Sequence, residues 1–585
     1  MFKVRKENAL NALMKVPYIF DTSIVQENPV NAYGDYPILH IIENDNLEES
    51  VKMLKYAADW YEHPHPWGRD SRGEADFAAI RLVMALYEDR CYSKIPDDVK
   101  ASLKNFFTNR DYSSMYGSEN HSLMFKAARC LAAQFYADEY FSNYDMTAKE
   151  VYDSDIKYIN DFIDFRAGRG WGEFDSMGYG GEIMLILNTL YSYIADEKLK
   201  QKCAMMMDII LLDMIADSWD CLYGGAHGRV YPDATLHRAK GGLPVLYSYY
   251  FGSKFYNPDS HLAVITYLSD YRPSQIVYDI ATSKKKPFEN RERKHLHCCS
   301  AWVGDILWDV LDECTGCISK FTYVSEDYVL GSVTRQEEYP ETDDRWYARH
   351  QQHEWELTLP GGDDHKIFTH HVGIDDYHHI NNRWTGDNRC CCGSFYTNRN
   401  TAIAMYNIEK NLNTDASADV QIPVNVTHTI NAFVPLNIFD EKVLEEKYLF
   451  FRYNNLYISL YFDNGYRVNK EDEFTDKELL SEGRQNAVVC RVEYCRDFDN
   501  IEAFADYIKS KPVDFDRDAK TVSFDGIVLR TDGNSENGIE NVYPYAKTYD
   551  CPFMQSEWDS KKIVVSFGDK KAVYDFVNNR IETEG

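Results

Sequence analysis

The sequence is poor in basic residues, and also in glycine and proline, the two residues that most often interrupt helices and strands. Lys plus Arg number 63 against 93 Asp plus Glu, so the formal net charge is −30. A surface this acidic repels phosphate backbones, and no local basic patch offsets it, which argues against nucleic-acid binding. Gly contributes 31 and Pro 18 of the 585 residues, too few for a fibrous or extensively disordered chain.

Long apolar segments are also missing. The longest apolar run, Met205 to Ala216, is short and is broken by Asp208 and Asp213, so we expect no membrane span. The N-terminus has no continuous apolar core and no small-residue cleavage site of the kind that a secretory signal has. The 14 Cys lie within predicted helices and strands rather than in a regular framework, as reduced thiols do. We therefore expect a cytoplasmic protein.

Several sequence motifs are absent, whereas aromatic residues are abundant. No P-loop, Rossmann fingerprint or G-x-S-x-G elbow occurs, so nucleotide-driven and esterase-type chemistry have no support. The chain has 44 Tyr, 30 Phe and 10 Trp. Aromatic side chains either fill cores or offer flat faces to sugar rings, so their positions decide between the two roles.

The apolar pattern changes along the chain from a helical period to strand-like runs. Stripes such as Phe77, Ile80, Met84 and Tyr87 recur at steps of three and four through the first half and predict serial helices. Later β-rich runs and the turn Asp525-Gly526 predict antiparallel strands. We predict an α+β multidomain chain. It has an (α/α) toroid, an incomplete barrel of helical hairpins, at 1–315 and an antiparallel β-sandwich at 316–585.

Three polar segments at predicted helix ends are candidate sites. Asn120 and His121 open a helix, where unpaired N–H groups favour an anion, although simple capping explains them too. The Gly-rich loop 168–181 places two carboxylates and two aromatic residues close together, but a solvated acidic loop is the alternative. The third segment, the Gly-rich loop 223–233, offers a base, a carboxylate clamp and a proton donor. The alternative is that these residues cluster by chance. The candidates in the second and third segments are Trp171, Glu173, Asp175, Tyr179, His227, Arg229 and Tyr231.

A smaller set of residues at loops and helix ends is predicted to bind substrate rather than to fill the core. It consists of Trp67, Arg69, Trp171, Trp219 and Tyr223.

The order of helices and strands, together with these motifs, resembles the polysaccharide lyases of the heparinase, chondroitin lyase and alginate lyase type. Asn120-His121 is similar to the Asn or Asn-His pair with which those lyases neutralise a uronate carboxylate. Tyr179-Gly180 stands about where their catalytic Tyr follows, and Arg229 falls in the loop of their substrate-binding Arg. The lyases often have a His shortly before that Tyr, whereas this loop has Glu173 and Asp175.

The resemblance implies β-elimination on a glycan that contains uronic acid. Asn120, His121 and Arg229 would neutralise the carboxylate. His227 or Tyr179 would take the C5 proton, and Tyr231 or Tyr179 would protonate the leaving O4.

Two other functions stay open. A glycoside hydrolase would need only an acid and a second carboxylate, for which Glu173 and Asp175 are the natural pair. A non-catalytic intracellular glycan-binding protein would keep aromatic platforms without converging His, Arg and carboxylate groups. Convergence of the candidate residues in one cleft would separate the enzymes from the binding protein.

Metal binding has weaker support, and we expect no cofactor. A structural zinc site is conceivable from Cys298, Cys299, Cys314 and Cys317, but adjacent cysteines suit tetrahedral ligation poorly. The histidines dense between residues 350 and 379 are interpreted as strand-end residues.

Overall fold

The structure is a computed structural model of the chain. It describes residues 2–15, 35–59, 75–112, 118–255, 264, 266, 268–283, 287–296, 302–303, 306–307, 317–336, 352–371, 384, 393–407, 428–530, 535–536 and 545–584.

The first half is helical. Its helices are α1 (Phe2–Leu13), α2 (Asp35–Glu43), α3 (Leu47–Ala58), α4 (Ala75–Tyr92), α5 (Asp97–Asn109), α6 (Glu119–Phe135), α7 (Ala148–Arg169), α8 (Tyr179–Tyr193), α9 (Glu197–Ala216), α10 (Pro232–Leu236), α11 (Gly242–Phe251) and α12 (Gln275–Thr282), and α13 (Ile501–Lys509) follows later. Thr147 and Glu150 form a reciprocal capping box at the start of α7. Asp196 caps α9 by accepting from the Leu199 N–H at 2.8 Å.

The strands are short before residue 288 and longer after it. They are β1 (Tyr140–Phe141), β2 (Met146–Thr147), β3 (Ser218–Trp219), β4 (Leu222–Tyr223), β5 (Phe288–His295), β6 (Trp302–Val303), β7 (Ile306–Leu307), β8 (Cys317–Val324), β9 (Val329–Gln336), β10 (Trp355–Thr358), β11 (Lys366–His370), β12 (Gly393–Thr397), β13 (Thr401–Asn407), β14 (Thr429–Phe433), β15 (Glu441–Leu444), β16 (Tyr448–Tyr453), β17 (Leu456–Phe462), β18 (Arg467–Val468), β19 (Glu478–Glu482), β20 (Gln485–Tyr494), β21 (Asp514–Asp516), β22 (Thr521–Phe524), β23 (Ile527–Arg530), β24 (Ser535–Glu536), β25 (Lys547–Cys551), β26 (Met554–Glu557), β27 (Lys562–Phe567), β28 (Lys570–Asp575) and β29 (Arg580–Glu584).

Most of these strands join three antiparallel sheets. The largest has the order β18-β19-β14-β11-β10-β9-β8-β5-β25-β26-β27-β28-β29. A second sheet, β12-β13-β20-β17-β16-β15, packs on the first through a shared apolar core. Its other face covers α13 and the small sheet β21-β22-β23-β24. The two facing sheets form the predicted sandwich.

The C-terminal strands have a different role from the rest of the sandwich. Side chains such as Tyr549, Met554, Ile563 and Tyr574 share one buried cluster with the helices. The large sheet therefore packs on the second sheet along one part of its length and on the helical region along another.

The predicted fold class, an (α/α) toroid followed by an antiparallel β-sandwich, is confirmed. The domain boundary at residue 315 stays a prediction. The described helices of the first half end at Thr282, and β5 begins at Phe288. None of the described helices is both long enough and apolar enough to cross a membrane.

The first turns of three helices meet, and this places the candidate site. Asp76 of α4 contacts His121 of α6 at 2.7 Å, and Arg81 of α4 forms an ion pair with Glu182 of α8 at 3.2 Å. The helices α4, α6 and α8 therefore begin at the same end of the helical region. Positive ends of helix dipoles collected at one end favour a negatively charged ligand there.

Candidate active site

The N-terminus of α6 presents a buried amide. Ser118 Oγ donates to Asn120 Oδ1 at 2.5 Å, and neither side chain caps a backbone N–H of the helix. Asn120 is fully buried, and its Nδ2 has no hydrogen-bond partner among the residues that the structure describes. Simple capping therefore does not account for Asn120. A buried N–H donor without a partner is costly, so the amide is suited to receive an acceptor from a ligand.

His121 is oriented by a carboxylate. Its Nδ1 lies 2.7 Å from Oδ2 of the buried Asp76, and the edge of Phe77 packs on the ring at 5.1 Å between centroids. The Asp76 contact makes Nδ1 the donor, which fixes the tautomer and the direction of the ring.

The loop between α7 and α8 is tied down by Glu119. This buried carboxylate accepts from the backbone N–H of Gly172 at 3.0 Å and of Glu173 at 2.6 Å. It also pairs with Arg166, a fully buried side chain near the end of α7. The start of the loop is thus fixed directly beside Asn120 and His121.

Among the residues at the start of α6 and in this loop, Glu173 has the carboxyl whose pKa is most strongly raised. Burial raises its pKa to about 7, because the charged form loses its hydration; the positive charge of Arg229 opposes this, and the Glu119 charge adds to it. The Arg229 Nε lies 3.6 Å from Glu173 Oε1, and the charge of His121 also acts on this carboxyl. Near neutral pH, Glu173 therefore exists both as an acid that can donate and as a carboxylate.

Tyr179 and Tyr231 present their hydroxyl groups to each other next to Arg229. The two oxygens are 2.9 Å apart, and Arg229 Nη2 donates to Tyr179 Oη at 3.2 Å. Burial raises the pKa of the Tyr179 phenol well above its ordinary value, and the Arg229 charge opposes that rise. Tyr231 is 38% exposed, so it links the half-buried phenol of Tyr179 to solvent.

Arg229 is held by its backbone as well as by its side chain. Its φ of 52° is left-handed, an uncommon conformation for a residue with a side chain, and its carbonyl oxygen accepts from Ser176 Oγ at 3.1 Å. This geometry binds the loop 224–231 to the loop that carries Glu173.

Contacts and short-range charges thus join His121, Glu173, Tyr179, Arg229 and Tyr231, and Asn120 directly precedes His121 in the first turn of α6. Asp175 and His227 lie behind this cleft.

Asp175 is not an acid/base partner of Glu173. Its carboxylate is fully engaged by Lys294 and Lys320, which reach it from β5 and β8. These two ammonium groups hold the pKa of Asp175 below its ordinary value despite burial, which acts in the opposite direction. The left-handed backbone of Asp175, with a φ of 52°, turns the chain here, so Glu173 and Asp175 face different environments although they are two residues apart.

His227 is also displaced from the cleft. It is fully buried, its Nδ1 donates to the Asp175 carbonyl oxygen at 2.9 Å, and the edge of Tyr223 packs on it. Burial lowers its pKa to about 3, assisted by the charge of Arg238. A base this weak, with no exposed surface, is poorly suited to take a proton from a glycan.

The predicted aromatic platforms have mixed outcomes. Trp171 and Tyr223 are 8% and 1% exposed and belong to the helical core, so their assignment to substrate binding is wrong. Trp219 is partly exposed and borders a separate cavity of about 460 Å³, where its Nε1 donates to the Glu326 carbonyl. Trp67 and Arg69 lie outside the described residues.

The metal hypotheses gain no support from the described residues. Cys298, Cys299 and Cys314 lie outside them, and Cys317 is buried in β8. A group with metal-ligand spacing is found elsewhere, at Asp175, Asp213 and Glu292. The ammonium group of Lys294 contacts all three carboxylates, so these charges already have a cation.

Sequence reasoning did not predict how three charged residues organise the site: Asp76, Glu119 and Arg166. Each is charged and less than 2% exposed. A signal for Asp76 was present, since it directly precedes the apolar stripe Phe77, Ile80 and Met84 of a predicted helix. A charged residue at a core position usually has a buried partner.

Comparison with known proteins finds similarity at the level of solved structures. No protein-family model and no curated protein matches the chain. The chain is similar to the Streptomyces coelicolor A3 chondroitin AC lyase in complex with chondroitin sulphate, with 10% identity, a TM-score of 0.41, and coverage of 98% of this chain and 88% of that one. It is also similar to the heparan sulfate lyase HepC from Pedobacter heparinus, with 10% identity, a TM-score of 0.33, and coverage of 89% and 84%.

A third similar structure is heparinase III, with 8% identity, a TM-score of 0.33, and coverage of 95% and 82%.

Proposed function

We propose that the protein is a polysaccharide lyase that cleaves a glycan containing uronic acid by β-elimination. The observation that carries the proposal is the Tyr179 hydroxyl, which contacts both Arg229 and Tyr231 beside a carboxyl group whose pKa is about 7.

The first requirement of the reaction is to neutralise the uronate carboxylate. Asn120 Nδ2 supplies a buried donor, and protonated Glu173 supplies an O–H donor. The first turns of α4, α6 and α8 add the positive ends of their dipoles. Hydrogen bonds that strengthen as charge moves onto the carboxylate stabilise the transition state more than the bound substrate.

The second requirement is a group that moves a proton from C5 to O4. Tyr179 takes the C5 proton as the phenolate, a form that its raised pKa makes scarce at neutral pH and that the Arg229 charge favours; the C5–H electron pair becomes the C4=C5 bond, and the C4–O4 bond breaks. The same phenol then gives its proton to O4, so the site returns to its starting charge and no water is consumed. Tyr231 provides the route by which Tyr179 loses its proton to solvent before the reaction.

The hydrolase alternative has less support in the geometry. Asp175 is committed to two lysines, and Glu119, the other carboxylate near Glu173, is occupied by Arg166 and two backbone N–H groups. Neither carboxylate is available to activate a water or to attack a sugar.

The test is product analysis with a panel of uronate-containing and neutral oligosaccharides. We expect ultraviolet absorbance from a new C4=C5 bond, one unsaturated end for each new reducing end, and loss of both in Tyr179→Phe. Tyr140→Phe is the control, because Tyr140 is an exposed tyrosine whose hydroxyl also contacts a polar group, Asp145, outside the cleft. New reducing ends without the absorbance would establish hydrolysis, and binding without cleavage would establish the glycan-binding alternative.

A further inference from the structure

A cluster of six buried charged groups joins the helical region to the large sheet. It consists of two lysines on neighbouring strands and four carboxylates: Lys294, Lys320, Asp175, Asp213, Asp217 and Glu292. We call this set the lysine cluster.

The lysines bridge parts of the chain that are distant in sequence. Lys294 of β5 donates to the two oxygens of Asp213 at 3.0 and 2.9 Å and also bonds Asp175. Lys320 of β8 bonds Asp175 and Asp217. Asp213 and Asp217 belong to the end of α9, whereas Asp175 belongs to the loop that carries Glu173. Asp175 is therefore the member through which the sheet reaches that loop.

The lysine cluster is an unusual way to hold two domains together. Removing charges from water is costly, and apolar residues of similar volume usually stabilise a fold at least as well. What ion pairs add is direction, because each ammonium must meet oxygens at fixed distances. The cluster is thus suited to fix a position rather than merely to add stability.

The backbone around Asp175 needs such a constraint. Its φ of 52° is left-handed, and its carbonyl oxygen accepts from His227. The segment 170–178 has no helix or strand of its own. Glu119 holds this segment from the α6 side, and the two lysines hold it from the sheet side. Glu173 and Tyr179 lie two and four residues from Asp175, so they depend on both attachments.

We propose that Asp175 is a positioning residue. Lys294 and Lys320 act through it to place Glu173 and Tyr179 in the cleft, so the β-sheet domain sets the geometry of a site built on helical residues. The catalytic consequence rests on the function proposed above, but the structural consequence does not.

The experiment compares two substitutions in the lysine cluster. Asp175→Asn removes the charge that holds the loop. Asp217→Asn removes the same charge from another partner of Lys320 and leaves the loop contact in place. Hydrogen–deuterium exchange of the segment 170–180 is measured in the full-length protein, together with thermal unfolding.

We expect exchange in 170–180 to accelerate by about tenfold or more in Asp175→Asn, and to stay at the wild-type rate in Asp217→Asn. Equal protection in both variants would overturn the proposal and leave the lysine cluster as a purely stabilising element. If Asp175→Asn does not fold, Lys320→Met serves as the loop-releasing variant in the same comparison.

If the wild-type protein cleaves a glycan, steady-state kinetics supply a second measurement. Displacement of the reacting groups lowers kcat by about 10- to 100-fold in Asp175→Asn with a smaller change in KM, whereas Asp217→Asn keeps both values. Unchanged kcat in Asp175→Asn would refute its positioning role. If the wild type cleaves no glycan, the proposed function fails, and the exchange comparison still decides whether Asp175 holds the loop.

Discussion

Replacing Glu173 by Gln gives the sharpest test of the carboxylate-neutralising role. The side chain keeps its size and a hydrogen-bond donor but loses its ionisation. In the wild type, protonated Glu173 donates to the substrate carboxylate, whereas the ionised form repels it. We therefore expect KM to rise above pH 7 in the wild type and to stay nearly constant in Glu173→Gln.

The size of the effect follows from the perturbed pKa. With a pKa of about 7, only about a tenth of the Glu173 carboxyl stays protonated at pH 8, so KM rises by up to about tenfold in each further pH unit.

The same carboxyl affects stability. The pKa of Glu173 is 4.5 in the unfolded chain and about 7 in the folded protein. Its contribution to the free energy of unfolding is therefore complete below pH 4.5 and is lost as the pH rises through 7. The difference corresponds to about 3 kcal/mol in the free energy of unfolding.

The assay is the initial rate of ultraviolet absorbance at saturating and limiting substrate between pH 5.5 and 8.5 (about one and a half units either side of the pKa). Denaturant unfolding at about pH 4.5 and 8 is compared in both proteins to measure the linkage. Glu88→Gln is the matched control. Burial also raises the pKa of Glu88, which accepts from Tyr193, but it lies in the last turns of α4, away from Asp76.

An identical alkaline rise of KM in Glu173→Gln would refute the reasoning, because another group would then be titrating. Complete loss of turnover in Glu173→Gln at every pH would also refute it, since the carboxyl would then transfer a proton rather than donate a hydrogen bond.

Four further substitutions test the remaining roles. Tyr179→Phe should lower kcat by about 10²- to 10⁴-fold with little change in KM. Tyr231→Phe removes only the link to solvent and should lower kcat less. Stopped-time product assays measure kcat and KM of the two variants. Asn120→Ala should lower kcat/KM by about 10²- to 10³-fold while circular dichroism stays that of the wild type; an unchanged kcat/KM would exclude the amide from the site. Trp171→Ala should lower the free energy of unfolding by about 3 to 5 kcal/mol in denaturant titrations, as expected for a core residue; a variant of wild-type stability with weakened glycan binding would restore its role as a sugar platform.

Sequence and structure agree where a local pattern is enough. Asn120 and His121 were recognisable because polar residues directly precede an apolar helical stripe. Tyr179 stood out at the next such position, in a Gly-rich loop. Residues 171–175 misled the prediction, because closeness in sequence suggested one shared environment. The backbone instead directs Glu173 to the cleft, Trp171 to the helical core and Asp175 to the lysines.

The sequence by itself determined that a helical block precedes a β-rich block, which helix-end loops carry the candidate groups, and the shortage of positive charge that argues against nucleic-acid binding. These properties depend on periodicity and composition, which are local or additive. Only the tertiary structure decided which charges meet. The pKa of Glu173, the burial of His227 and the pairing of Asp175 with Lys294 and Lys320 all depend on side chains separated by tens to hundreds of residues. Electrostatic energies depend on distance and on hydration in space, and sequence spacing fixes neither of them.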